Sequence, residues 1–276
     1  MALPFPALTA AQRLLLDVNG YVVIEQLIPL AQVELLRETM YRFEAHYRET
    51  GELPGPDCHL SSTSETCFRI DNLPHLAPCF FEYLTNPRLV GLAEEIVGGK
   101  VRLEQSDAHI LRPDTSERGG EYGFHRGLHG GYFHTSNGLY HFPFIKALTN
   151  LTDLGPEDGG TAVIAGTHKL SEDVDAQAII DAATADERLI HHVEAPAGST
   201  LLFFESLYRS SGIIRSARDR LLILGGYTPT MFQSWAGYEP SAPFLATLRS
   251  TDRELLSGEA RYRWDPRSRD LRSVEE

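Results

Sequence analysis

The feature that most constrains this chain is a change of hydrophobic period near Val101. Before it, Val33, Leu36, Met40, Phe43 and Tyr47 fall on one stripe and predict an amphipathic helix ending near Gly51. After it, short apolar runs alternate with turn signals. Val101–Glu104, His109–Leu111, Phe144–Leu148, Thr161–Ile164, Leu189–Val193, Thr200–Phe204 and Leu221–Leu224 read as strands. Gly119-Gly120, Gly155–Gly160, Ala197-Gly198 and Gly225-Gly226 punctuate them. Helices followed by roughly eight short strands predict a mainly β fold with flanking helices, a β-barrel or jelly roll.

The flanks read in more detail. Thr9 caps a helix from Ala10 to Val18 that Asn19-Gly20 ends, and Tyr21–Ile24 is a short strand. Residues 52–72 are loop-like in composition, Pro78–Val97 is helical with a break at Asn86-Pro87, and a further helix lies near Val174–Asp186. The expected organisation is a single domain over 1–276: a mostly helical flank (1–100), a jelly-roll core (101–230) and a helical, charged extension (231–276).

Composition narrows the function. With 42% hydrophobic and 23% charged residues the chain is neither disordered nor membrane-spanning, and no run approaches the ~18 apolar residues of a membrane helix. A net charge of −13 lacks the basic footprint of a nucleic-acid binder. The expected partner is a small molecule, with neither nucleic acid nor membrane. Three cysteines without CxxC spacing make no disulfide framework and no thiolate zinc site. The N-terminal stretch lacks a basic start and a clean apolar run, so a cytoplasmic setting is expected.

Five of the eleven histidines crowd one region: His109, His125, His129, His134 and His141. Imidazoles on neighbouring strands can converge on a metal, although a histidine in such a loop-rich stretch is more often a polar loop residue. His192 and Glu194 stand at i, i+2 with no third ligand evident. There is no GxSxG elbow, no P-loop and no GxGxxG after a strand.

Five stretches then carry a resemblance: NGYVVIEQLIP (Asn19–Pro29), HRG (His125–Gly127), TDLGPEDGGTAVIAGTHK (Thr152–Lys169), AGSTLLFFESL (Ala197–Leu207) and SSGIIRSARDRLLILGGY (Ser210–Tyr227). Together they resemble the phytanoyl-CoA dioxygenase family, over roughly Asp17 to Thr230. The resemblance implies a double-stranded β-helix, cupin-like in shape, and Fe(II)- and 2-oxoglutarate-dependent oxidation. It implies a facial triad from an HxD pair and a later histidine, and an arginine that holds the distal carboxylate of 2-oxoglutarate. Carried over, His125 matches the first histidine and Arg220 the arginine. Gly127 stands where the aspartate is expected and Arg209 where the later histidine is expected. Glycine at the first place has a precedent in halogenases that resemble this family. Arginine at the second has no lone pair to give, and at about 4 Å it repels a divalent cation by several kcal/mol.

Three readings follow. In the first, the iron site is lost and the protein is an enzyme of isomerase, cyclase or lyase type, acting on a small anionic or carbonyl-bearing molecule, in secondary metabolism by resemblance. His125 is then its acid–base residue, with Arg126, Arg209 and Arg220 as electrostatic partners and no cofactor. In the second, Fe(II) and 2-oxoglutarate are used by an oxygenase or halogenase with altered ligands, His125 among them with His129 or His134. In the third, the cavity binds a small molecule without turnover.

Strand alternation puts Gly123, His125 and Gly127 on one face, with Glu121 beside them as a candidate to orient the imidazole, while Phe124 and Arg126 face away. Further candidates are His109 and Tyr208, and Lys146 with Asn150 as cofactor-binding residues on one face of their strand. His168 reads as structural. Arg209, Arg220 and Lys146 would make a positive island inside an acidic protein.

Overall fold

A computed structural model describes residues 7–259 except 56, 115–120, 129–133, 137–138 and 172, with only the backbone described at 134–136 and 139–140. The helix α1 (Ala10–Asn19) starts on a capping box, in which Thr9 and Gln12 bond each other's backbone N–H, and ends at Gly20 in the left-handed region. Then come β1 (Tyr21–Ile24), α2 (Leu30–Thr50), β2 (His59–Thr63), β3 (Cys67–Asp71), α3 (Pro78–Leu84), α4 (Pro87–Val97) and β4 (Val101–Leu111). The remaining elements are β5 (His134–Ser136), β6 (Leu139–His141), β7 (Ile145–Asn150), β8 (Ala162–Ile164), α5 (Ala176–Ala185), β9 (Ile190–His192), β10 (Thr200–Phe204), β11 (Arg209–Ser210), β12 (Arg220–Pro229), α6 (Ala242–Ala246) and α7 (Ser250–Ser257).

Seven antiparallel strands form the major sheet in the order β1-β10-β7-β12-β4-β3-β2. A smaller sheet, β11-β8-β9, is extended at one edge by a bridge between His125 and Arg209. This is a mainly antiparallel β fold with flanking helices. Period-two alternation decides which face each residue serves. Ala108, Ile110, Ile145, Ala147, Leu202, Phe204, Leu221 and Ile223 bury against α2, α3 and α4, where Leu36, Met40, Phe80, Tyr83, Leu92 and Ile96 complete the main core. Their alternates, Leu148, Leu201, Phe203 and Leu222, turn to the other face and pack with Val163 and Leu207 beside a cavity.

The sequence reading of 52–72 as loop is corrected: residues 59–63 and 67–71 form a hairpin that extends the major sheet past β4. β2 is an edge strand with an exposed end and little apolar content, so pairing with β3 rather than propensity makes it a strand. The two runs expected at 101–104 and 109–111 are one eleven-residue strand. Between them Glu104, Ser106 and Asp107 are buried polar residues, which hid the continuity.

Candidate active site

A cavity of about 250 Å³ opens on the inner face of the major sheet. Four cations, Arg69, Lys146, Arg209 and Arg220, and two carboxylates, Asp107 and Glu205, line it together with His109 and His125. Three of these cations are ion-paired, Arg69 with Asp71 and Asp107, Lys146 with Glu104 and Arg209 with Glu205, so the positive island expected from the sequence reduces to Arg220.

Arg220 closes one end. It is buried, its Nη1 donates to the Gly159 carbonyl at 2.6 Å and its Nη2 to Thr161 Oγ1 at 2.9 Å. Gly159 holds φ +67°, which a residue with a side chain rarely adopts, so the glycine turn is what directs that carbonyl at the guanidinium. Nε has no partner, and no carboxylate among the described residues pairs with Arg220. Burial alone pushes its pKa down, to about 10, so it remains a cation at neutral pH. A buried cation without an anion is costly unless a ligand supplies the charge.

The other end is built differently. His125 and Arg209 exchange backbone hydrogen bonds at 3.0 Å, which fixes their register. Glu121, Gly123, His125 and Gly127 are the exposed alternates of their segment, while Phe124 and Tyr122 pack into a small core with Tyr208. The Arg209 guanidinium donates to Glu205 Oε1 at 2.8 Å and lies 5.4 Å from the centre of the Phe203 ring. At Gly127, a Cβ would sit 2.0 Å from that same Glu205 Oε1. The Glu205 carboxylate therefore occupies the space into which a side chain at 127 would grow. His125 Nδ1 bonds the Gly123 carbonyl at 2.8 Å. Shielding from solvent, then the Arg209 charge, push its pKa down, which favours a neutral imidazole.

These residues do not fit a facial-triad metal. One imidazole is present, position 127 has no side chain to donate, and the third position is a guanidinium paired with the nearest carboxylate. Among the described residues no group of three His, Cys, Asp or Glu side chains could hold a metal ion. His129 lies outside the described residues, and so does the His134 side chain.

Several sequence expectations are corrected. Glu121 does not orient His125: the Gly123 carbonyl takes the ring nitrogen, being two residues away on the same strand face. Tyr208 is a buried packing residue, its ring under the Arg126 guanidinium at 4.9 Å, because it alternates with Arg209 and turns from the cavity. Arg126 follows it outward and donates to the Leu170 carbonyl at 3.1 Å. Lys146 lines the cavity, but its charge is matched by buried Glu104, with Gln105 also accepting from it. Asn150 is buried and does not line the cavity, since it sits two rows beyond Lys146, next to Leu222. His168 is structural, stacked on Phe204 and bonded to the Asp17 carbonyl at 3.2 Å.

The sequence reading missed Glu205, Asp107 and Arg69. Glu205 carried a signal, an acid inside the apolar run Leu201–Leu207, where a buried carboxylate needs a partner. Asp107 and His109 stand at i, i+2 on one strand, a spacing that puts both on one face.

Three likenesses accompany this geometry. HygX from Streptomyces hygroscopicus, in a crystal structure with nickel and 2-oxoglutarate bound, superposes with a TM-score of 0.67 at 22% identity, over 83% of this chain and 90% of that one. SnoK, a non-heme alpha-ketoglutarate-dependent carbocyclase from nogalamycin biosynthesis, superposes with a TM-score of 0.60 at 16% identity, over 82% and 86%. An uncharacterized protein of Mycobacterium tuberculosis is 24% identical over 232 residues, 81% of this chain and 76% of that protein. The structural likenesses show the fold, a double-stranded β-helix of the 2-oxoglutarate-oxygenase type. The family model of phytanoyl-CoA dioxygenase matches residues 16–222, three quarters of the chain. The protein belongs to the phytanoyl-CoA dioxygenase family.

Proposed function

We propose that this protein is an enzyme of secondary metabolism that binds a small carboxylate or 2-oxo acid on Arg220 and transforms it by proton transfer, without iron. The observation that carries this reading is the contrast between two arginines in one cavity. Arg209 is neutralised by Glu205 where a metal would be held, and Arg220 has no internal counter-charge.

The chemistry follows from the atoms in place. Arg220 and Thr161 take a carboxylate by charge-assisted hydrogen bonds. The neutral imidazole of His125, held through Nδ1 by Gly123, leaves Nε2 for a proton. Arg209 supplies positive charge near an oxygen that becomes negative as a C–H bond adjacent to a carbonyl is broken. Glu205 Oε2 is buried with no donor and accepts a substrate hydroxyl. Such a set suits isomerisation, cyclisation or elimination. No helix among the described residues is long and apolar enough to cross a membrane.

The test is elemental analysis of protein produced with iron present, followed by turnover of a panel of small hydroxy and oxo acids in EDTA. The expected result is less than stoichiometric iron and a conversion lost in His125→Ala. Conversion that requires added Fe(II) and 2-oxoglutarate would overturn the reading. It would favour instead an oxygenase or halogenase with altered ligands, which the family and the Arg220 end support. Succinate release is that alternative's signature. Ligand-induced stabilisation without product across the panel would favour a pure binding protein.

A further inference from the structure

We propose that His109, oriented by Asp107, is a second proton-transfer residue of this cavity, acting on the face of an Arg220-anchored 2-oxo acid opposite to His125. The inference rests on the reading of Arg220 as the carboxylate anchor.

On β4, Gln105, Asp107 and His109 are successive inward residues and all line the cavity. His109 Nε2 lies 3.1 Å from Asp107 Oδ1. A carboxylate only accepts, so Nε2 carries the proton and the Nδ1 lone pair is left to act as a base. No hydrogen bond from the described residues reaches Nδ1. Among the described residues Asp107 Oδ1 is reached by His109 alone. Its Oδ2 accepts from Arg69 Nη2 at 2.8 Å and from Gln105 Nε2 at 2.7 Å, and Arg69 Nε also holds Asp71 at 2.9 Å. Burial works against the Asp107 charge, but His109, Arg69 and Gln105 together hold its pKa below the usual carboxylate range. The dyad is thus anchored from β3 on one side and is 19% exposed at the imidazole.

Sheet register sets the reach. Arg220 pairs with Leu111 and Leu222 pairs with His109. His109 is therefore the diagonal neighbour of Arg220 on the same face, a separation of about 7–8 Å in a regular antiparallel pair. A carboxylate on Arg220 places the next carbons of its ligand between the two. His125 lines the same cavity from the other sheet, through its bridge to Arg209. The charged groups facing His109 are Asp107 and Arg69 on its own wall, with Arg220, Lys146, Arg209 and Glu205 around the enclosure.

The step is redox-neutral. The C3–H bond of the 2-oxo acid breaks, its proton goes to His109 Nδ1, and its electron pair forms the C2=C3 bond of an enolate whose negative charge rests on the former carbonyl oxygen. Reprotonation at C3 reverses the step. A base on each wall lets the proton leave from one face and return to the other, as an epimerisation or a double-bond shift requires.

The probe is 2-oxoglutarate in D2O with EDTA, followed by proton NMR and mass spectrometry at C3. The wild type is expected to exchange both C3 hydrogens. His109→Gln and His125→Gln should each exchange one, of opposite prochirality, with the other at least tenfold slower. Asp107→Asn, acting through orientation only, should slow the His109 face and spare the His125 face. Calorimetric binding of 2-oxoglutarate within about threefold of wild type shows each variant folded. Single deuteration by the wild type, or double deuteration by His109→Gln, with binding intact, overturns this inference and leaves the Arg220 reading standing. No binding of 2-oxoglutarate by the wild type overturns both.

Discussion

At one end of the cavity a half-buried guanidinium has an internal carboxylate, and at the other a buried one has none. Arg209 and Glu205 form an ion pair, and the Glu205 carboxylate fills the space beside Gly127. Arg220 is deeper, donates only to a backbone carbonyl and a hydroxyl, and has no partner at Nε. The same side chain thus has opposite meanings. Paired, it is a fixed part of the wall and a source of field. Unpaired, it is a buried cation that a carboxylate ligand would neutralise, as proposed above. The identity of a residue in a motif says less about its role than whether the fold has already answered its charge.

The comparison can be broken most directly at Arg220. Arg220→Met should weaken binding of small dicarboxylates by at least ~100-fold in calorimetry, since two charge-assisted bonds are lost. It should leave the melting temperature unchanged or raised, because an uncompensated buried charge is removed. A fall in stability instead would mean Arg220 is structural. At the other end the expectation is reversed. Glu205→Ala strands Arg209 and should lower stability by about 3 kcal/mol in urea unfolding. The double variant Glu205→Met/Arg209→Met should recover most of that loss, which a simple cavity-forming mutation would not.

A pH-dependent effect tests the scaffold that joins the ends. His168 is buried and its pKa is pushed down to about 4, by burial first and then by Lys169. Unfolded chain takes up a proton near pH 6.5 and the folded chain does not until near pH 4. Its contribution is therefore present above pH 6.5 and lost as pH falls towards 4, by roughly 3 kcal/mol in all. His168→Gln should flatten that part of the stability–pH curve. Tyr208→Phe should do least, within ~0.5 kcal/mol and with no change in turnover, because the hydroxyl serves neither end.

Much of the scaffold was legible because it depends on local periodicity. The helix expected at Ala10–Val18 runs Ala10–Asn19 and stops at Gly20, and the one near Val174–Asp186 runs Ala176–Ala185 and starts on the Asp175 cap. The β2–β3 hairpin was not legible, because pairing to β4 creates it. In the site, motif order reached His125, Arg209 and Arg220, and all three line one cavity. Glu205 was out of reach because its meaning lies in tertiary contacts with Gly127 and Arg209 across the turn between β10 and β11. His109 was reachable by strand alternation, but only the register against β12 relates it to Arg220.

The most direct measurement is a pair of calorimetric titrations on metal-stripped protein, one with 2-oxoglutarate in EDTA and one with Fe(II) under anaerobic conditions. The expected result is saturable 2-oxoglutarate binding without metal, abolished in Arg220→Met, and no stoichiometric uptake of Fe(II). One equivalent of Fe(II) bound per chain, with 2-oxoglutarate binding only after it, would contradict a cavity whose metal end is closed by the Arg209–Glu205 pair.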